Sequence, residues 1–241
     1  MKKVCFTLVI LSVFLCSFTY FSAVRPNNCD LTPTNMGLLH NQAMDFVYAA
    51  LQTAIQNNKN QNNPPLTKQQ ILTIAQTACN TYLTQTCGQV TAAQASQFIA
   101  QGFAEVNISF VTKVENSNFS PTLKAALLSL NQINSTTPAQ TRSAADAIST
   151  NGLSYGETYT FNCAKEILCQ SHTYWASKTN LWRDLSLLNN PTTVYAPPSE
   201  RGTAGADMGG FVGVAVGIVG GALGGGIGGS VCYIIQGLFG S

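Results

Sequence analysis

The sequence predicts an all-α protein. We expect a helical bundle of about five to seven helices, followed by a Gly-rich apolar helix or helical hairpin at the C-terminus. Apolar residues recur at helical spacing along the body, and hydroxyl residues followed by Gln or Pro mark helix starts. The alternation of apolar and polar residues that is typical of strands is absent before the tail.

The start signals place the body helices in order. Pro33-Thr34-Asn35 predicts the first start, with Asn35 as the cap, and the Asn-rich run of residues 57–65 predicts its end. Four later helices are predicted from capping boxes and from cap-proline pairs, namely Thr67 with Gln70, Thr91 with Gln94, Ser120-Pro121 and Thr137-Pro138. The third helix is expected to extend past Ile108 to Val114. After a turn at residues 151–156, helical spacing continues through Phe161 and Trp175 to Leu188.

The chain divides into four segments of different composition. Residues 1–24 are a signal peptide or an uncleaved anchor, 25–190 the helical body, 191–204 a Pro-rich hinge, and 205–241 a glycine-zipper tail. Body and hinge together hold about 180 residues, which is enough for one core. Only 9% of residues are charged, and without Lys2 and Lys3 ten basic residues balance ten acidic ones. The neutral balance excludes a basic nucleic-acid surface.

The N-terminus predicts export. Lys2 and Lys3 precede an apolar run from Val4 to Val24, which is the pattern of a signal peptide. We expect cleavage near residues 19–24, although a run of about 21 residues is also long enough for a membrane anchor. The expected location is therefore exported, and either membrane-associated, at the cell surface or extracellular.

The tail carries a glycine at every fourth position and no charge after Asp207. Such a stripe lets another backbone approach closely, as in the glycine zippers of membrane helices. The glycines of the stripe are Gly205, Gly209, Gly213, Gly217, Gly221, Gly225 and Gly229.

A helix this rich in glycine needs a second surface. Each glycine costs about 1 kcal/mol against alanine in a solvated helix, so the twelve between Gly205 and Gly229 disfavour a lone helix by about 12 kcal/mol. The surface is expected to be membrane lipid or another copy of the tail. The alternatives are a buried hairpin within a soluble fold, a flexible linker, and a strand through the β-branched run 212–219.

The cysteines suggest disulfides in an exported chain. Cys79 and Cys87 are eight residues apart, roughly 12 Å along a helix, and are too distant to pair with each other. We expect Cys79 or Cys87 to pair with Cys163 or Cys169, while Cys232 in the tail is expected to be a packed thiol.

Candidate catalytic chemistry is sparse. The only histidines are His40 and His172, which could bind a metal with Asp45 or Glu166 if their helices met, and the metal-binding interpretation predicts a hydrolase. The alternative is that both histidines bond to neighbouring backbone. The chain contains no G-x-S-x-G and no phosphate-binding loop after a strand, so we expect no enzyme and no cofactor.

Two tryptophans precede the hinge on one helical face. Trp175 and Trp182 are seven residues apart, with Tyr174 beside them. Large aromatic residues pack most often in a core, but Trp and Tyr are also enriched at membrane interfaces. Both locations are therefore open for this pair.

The tail resembles the G-x-x-x-G segments of two-peptide bacteriocins. The signal, the run Met36-Gly-Leu-Leu-His-Asn-Gln-Ala-Met-Asp45, the Tyr-Trp helix and the Asp207 that precedes the glycines are similar to small exported bacterial proteins of unknown function. The resemblance implies an exported helical protein with a membrane-inserting or self-associating tail, as a surface anchor or a bacteriocin-like membrane-active protein. The alternative is a soluble secreted helical binding module whose tail packs as an internal hairpin.

Overall fold

The computed structural model describes residues 32–86, 91–104, 107–192, 207–208 and 219–238. Within them the chain forms eight helices and no strand, which confirms the all-α prediction. The helices are α1 (Pro33–Asn60), α2 (Lys68–Thr86), α3 (Ala92–Ala104), α4 (Phe110–Asn116), α5 (Pro121–Gln132), α6 (Pro138–Asp146), α7 (Tyr155–Asn189) and α8 (Val219–Leu238).

Side-chain caps define the starts of several helices. Thr67 and Gln70 exchange hydrogen bonds before α2, and Thr91 and Gln94 do the same before α3. The longest helix, α7, begins at a complete capping box that the sequence analysis did not identify. In that box Glu157 N donates to Ser154 Oγ, and the Glu157 carboxylate accepts from Ser154 N.

Two predicted boundaries were wrong. The third helix ends at Ala104, and α4 starts afresh at Phe110 because the Ser109 side chain accepts from Thr112 N and so caps a new helix. The first helix begins at Pro33 with Thr32 as its N-cap residue, so Asn35 lies inside the first turn. Pro33 suits the first helical position because it has no N–H to leave unpaired.

The helices α1 and α7 form the centre of the body. Helix α1 packs against both α2 and α7, α6 lies on α7, and α5 joins α4 to α7. Helix α8 packs mainly against α3 and also contacts α2 and α1. The core between them contains Trp175, Trp182, Phe161, Met36 and Met44, each less than 2% exposed. The tail helix is therefore one of the packed helices of the bundle.

The two central helices touch through backbone at Gly37 on α1. An ideal Cβ at this position would lie 2.5 Å from the carbonyl oxygen of Glu166 and 2.6 Å from Cγ of Gln170, both on α7. Only a residue without a side chain allows this approach. The neighbouring Asn41 holds the same interface, since its Nδ2 donates to the Gln170 carbonyl at 3.0 Å.

Gly37→Ala is expected to lower the free energy of unfolding by about 1–2 kcal/mol, because overpacking against a backbone atom outweighs the gain in helix propensity. Gly156, in the first turn of α7, is the matched control, since an added Cβ would meet nothing within 4 Å. Gly156→Ala should raise stability by about 0.5 kcal/mol. Urea titration measures both changes, and a stabilising Gly37→Ala would contradict the close contact.

Candidate functional site: the buried contacts of the tail

The tail meets the body at His40, a fully buried side chain on α1. His40 Nε2 lies 2.8 Å from the Ser230 hydroxyl of α8 and 3.7 Å from Oδ2 of Asp207. Ser230 and Asp207 are both fully buried as well. One imidazole therefore contacts two segments of the tail.

Asp207 is held by donors from α7. Its Oδ2 accepts hydrogen bonds from the Ser171 hydroxyl and, at 3.0 Å, from Trp175 Nε1. Its other oxygen, Oδ1, is buried and has no hydrogen-bond partner in the part of the chain that the structure describes. The carboxylate is therefore held firmly at one oxygen and left unsatisfied at the other, an arrangement that is costly in a core.

The two ring nitrogens of His40 face different partners. Nε2 lies 2.8 Å from Ser230 Oγ, whose hydroxyl also bonds the Gly226 carbonyl at 2.7 Å. Nδ1 lies 3.2 Å from the side-chain oxygen of Asn41, whose amide nitrogen donates to the Gln170 carbonyl. The imidazole is therefore held by α8 at one nitrogen and by its own helix at the other.

The contact between Ser230 and His40 has the length of a nucleophile–base pair. In this conformation, however, both residues are fully buried, and the hydroxyl proton is directed to Gly226. Asp207 also lies beside Nε2, the same nitrogen that faces Ser230, whereas a catalytic carboxylate orients the opposite ring nitrogen. The arrangement joins helices and presents no accessible nucleophile.

The glycine face of α8 lies against α3. An ideal Cβ at Gly102 of α3 would stand 2.6 Å from the Gly225 carbonyl oxygen, 2.9 Å from Gly229 N and 3.1 Å from Gly228 Cα. Gly228 in turn approaches the backbone of Ile99. The two helices therefore meet backbone to backbone, the geometry that glycine zippers use.

Only part of the predicted glycine stripe lies within the described residues. Gly225 and Gly229 lie in the contact with α3, together with Gly224 and Gly228 of the adjacent row. Gly221 belongs to α8. The stripe residues Gly205, Gly209, Gly213 and Gly217 lie outside the described residues.

The histidines are not brought together as a metal site. Among the residues that the structure describes, no three of His, Cys, Asp and Glu form a group that could hold a metal ion. His172 Nδ1 lies 2.7 Å from the Thr141 hydroxyl, and Glu166 accepts two hydrogen bonds from Arg142. Asp45 is bonded to Tyr174 and to Lys178. Each predicted ligand is therefore engaged elsewhere.

Trp175 and Trp182 lie in the core and not at an interface. They are 0% and 1% exposed, and their ring centroids are 5.9 Å apart. Trp175 Nε1 donates to Asp207, while Trp182 Nε1 donates to the Tyr174 hydroxyl at 3.2 Å. The interface alternative is thus wrong for this conformation, because both indole N–H groups have partners inside the protein.

The predicted disulfides are not formed. Cys79, Cys163, Cys169 and Cys232 are buried free thiols, and Cys87 lies outside the described residues. Cys79 is on α2, which packs against α1, and α1 packs in turn against α7, the helix of Cys163 and Cys169. Helical spacing places a cysteine on the core face but does not identify the helix opposite it.

These thiols are expected to be unreactive in the folded protein. Burial raises the pKa of Cys163 and of Cys169 to about 11, and it raises the pKa of Cys79 further. Compared with an unfolded thiol, labelling by N-ethylmaleimide at pH 8 should be slower by at least about 100-fold. Mass spectrometry of labelled peptides, with the protein in concentrated guanidinium chloride as the control, measures this ratio. Equal rates would contradict the burial.

Comparison with protein-family models, with curated proteins and with solved structures finds no match. Of the helices in the described ranges, none has the length and apolar character that crossing a membrane requires. The apolar run of residues 4–24 and residues 209–218 of the tail lie outside those ranges. The function is therefore inferred from the contacts within the chain itself.

Sequence analysis identified His40, Asp207 and the glycines but did not connect them. Ser171, Asn41 and Ser230 were missed altogether. One signal was available for Asp207, since it is the last charged residue before a long apolar segment. A charge in that position needs a partner when the segment packs in a core.

Proposed function

We propose that this chain is an exported helical protein that stores its glycine-rich tail helix inside the body and acts on membranes when that helix leaves. Lys2, Lys3 and the apolar run behind them support export. The observation that carries the proposal is the α3–α8 contact, in which Gly102 meets the bare backbone of Gly225, Gly228 and Gly229. The tail helix therefore packs against its own body through a glycine surface of the kind that membrane helices use.

The composition of the tail supports release to lipid. From Met208 to Ser241 the chain carries no Asp, Glu, Lys or Arg, so insertion would bury no charged side chain. A bilayer that binds only the open form shifts the equilibrium between closed and open protein toward the open form, as any ligand of one state does. In this proposal the protein is a bacteriocin-like membrane-active protein or a surface anchor, and it is not an enzyme.

A disulfide between α3 and α8 tests the proposal. An ideal Cβ at Gly224 lies 2.8 Å from Cβ of Phe98, about 1 Å short of the mean spacing in disulfides. A shift of about 1 Å between α3 and α8 gives this pair the spacing of a disulfide. The variant Phe98→Cys with Gly224→Cys should therefore lock the tail when oxidised. We expect dye release from vesicles of phosphatidylcholine and phosphatidylglycerol by the reduced form, and at least about tenfold less by the oxidised form.

The reduced protein is its own matched control, and Phe98→Cys alone under oxidising conditions controls for the native thiols. Equal dye release by the locked and the reduced forms would contradict storage of the active segment. Absence of release by the unmodified chain and by both forms would contradict membrane action.

The second candidate is a soluble exported binding module in which α8 is a permanent part of the core. The buried contacts of His40 with Asp207 and Ser230 favour it, since breaking them would leave polar groups unpaired in the core. For this candidate the expected result is that neither oxidation state releases dye.

A further inference from the structure

Two distant positions of the tail meet at one side chain of the body. Asp207 and Ser230 both lie within 3.7 Å of His40 Nε2. From this convergence we infer that His40, Asp207 and Ser230 form an autoinhibitory latch, which keeps α8 packed in the body. The inference rests on the proposed function and names the contact that regulates it.

The latch adds polar contacts to an interface that is otherwise apolar. Glycine has no side chain to remove from water, so the contact of Gly102 with Gly225 and Gly228 mainly fixes shape and register. Hydrophobic stabilisation comes from the buried apolar side chains of α8, namely Ile227, Val231, Ile234, Ile235 and Leu238. The polar contacts of the latch are fully buried as well, so removal of one partner leaves the others unpaired in the core.

The latch also connects three helices and the segment of residues 207–208. His40 belongs to α1, Ser230 to α8, and the donors Ser171 and Trp175 to α7. Loss of the Asp207 charge therefore affects contacts on α1 and α7 together. The other five helices, α2 to α6, contribute no residue to these bonds, so opening can be local.

One feature of the latch favours opening. Asp207 Oδ1 is buried without a donor among the described residues, although water would hydrate it in an open state. The imidazole of His40 would regain water as well. The closed state is thus held by the His40–Asp207 contact and three hydrogen bonds, and it is opposed by burial of this carboxylate oxygen.

Asp207→Asn in the full chain tests the latch by hydrogen exchange. The amide replaces the carboxylate at nearly constant volume, so it removes one acceptor oxygen and places an N–H₂ group beside the donors Ser171 and Trp175. We expect the amides of residues 224–238 to exchange at least about tenfold faster than in the unmodified chain. Amides of α5 should keep their exchange rates, and dye release from phosphatidylcholine–phosphatidylglycerol vesicles should accelerate.

Asp184→Asn is the matched control, since this α7 carboxylate is 59% exposed and pairs with the adjacent Arg183. If Asp207→Asn accelerates exchange in every helix, the milder Ser230→Ala decides, because it removes a tail-side partner and leaves the His40–Asp207 pair in place. Unchanged exchange of residues 224–238 in the folded variant overturns the latch. Faster exchange without dye release supports the latch and contradicts the proposed membrane action.

Discussion

Gly102→Ala is expected to lower the free energy of unfolding by about 2 kcal/mol, and Gly102→Val by about 3 kcal/mol. The added Cβ would lie 2.6 Å from the Gly225 carbonyl oxygen and 2.9 Å from Gly229 N. Backbone atoms cannot rotate aside as a flexible side chain can, so α3 and α8 would have to separate. The loss exceeds the gain of about 1 kcal/mol that alanine brings to a helix.

Ala100→Val provides the matched control for Gly102→Val. Ala100 lies on the same helix and is exposed, so valine should cost only about 0.5 kcal/mol in helix propensity there. Urea unfolding followed by circular dichroism measures all three variants. A stabilising Gly102→Ala would show that α8 does not lie against this face of α3.

Trp175→Ala is expected to cost at least about 3–5 kcal/mol, the range for emptying a large buried aromatic site. Trp175 is fully buried, contacts Tyr174 and Trp182, and donates to Asp207. Trp175→Phe keeps most of the volume and removes the donor. It should cost about 1.5–3 kcal/mol, because the lost hydrogen bond is to a charged group.

Trp182→Phe is the matched control for Trp175→Phe, because it also removes an indole but leaves the hydrogen bond to Asp207 in place. Trp182 is equally buried, but its Nε1 donates to the neutral Tyr174 hydroxyl. This variant should cost about 1 kcal/mol, the usual value for a neutral hydrogen bond. Equal losses for the two phenylalanine variants in thermal unfolding would show that the hydrogen bond to Asp207 contributes no more than the one to Tyr174.

Local sequence signals predicted the helices well. The Thr67–Gln70 and Thr91–Gln94 boxes and the Ser120-Pro121 and Thr137-Pro138 starts are short-range features, and each forms in the structure. The split between α3 and α4 was missed because the apolar spacing continues across it, whereas the Ser109 cap that restarts the helix is one residue.

The candidate site could not be assembled from sequence in the same way. His40 and Ser230 are 190 residues apart, and Ser171 and Asp207 are 36 apart. Periodicity shows which face of a helix is buried but not which helix lies opposite. The same limit explains Cys79, which was expected to pair with a cysteine of α7 but is a buried free thiol on α2.

The glycine content of the tail predicted a contacting partner. The expected partner was membrane lipid or another copy of the tail, with a buried hairpin inside a soluble fold as an alternative. In the structure that partner is α3 of the same chain, since Gly102 offers bare backbone to Gly225, Gly228 and Gly229. A single glycine in a 13-residue helix gives no sequence signal strong enough to select α3 as that surface.

Hydrogen exchange of the unmodified full chain tests the central claim, which is that the tail helix is held inside the body by backbone contact. Residues 224–232 are all buried, so their amides should be clearly protected from exchange in plain buffer, as should those of the α1 core around Met44 and Val47. Exchange of these amides within seconds, while α1 remains protected, would contradict the account.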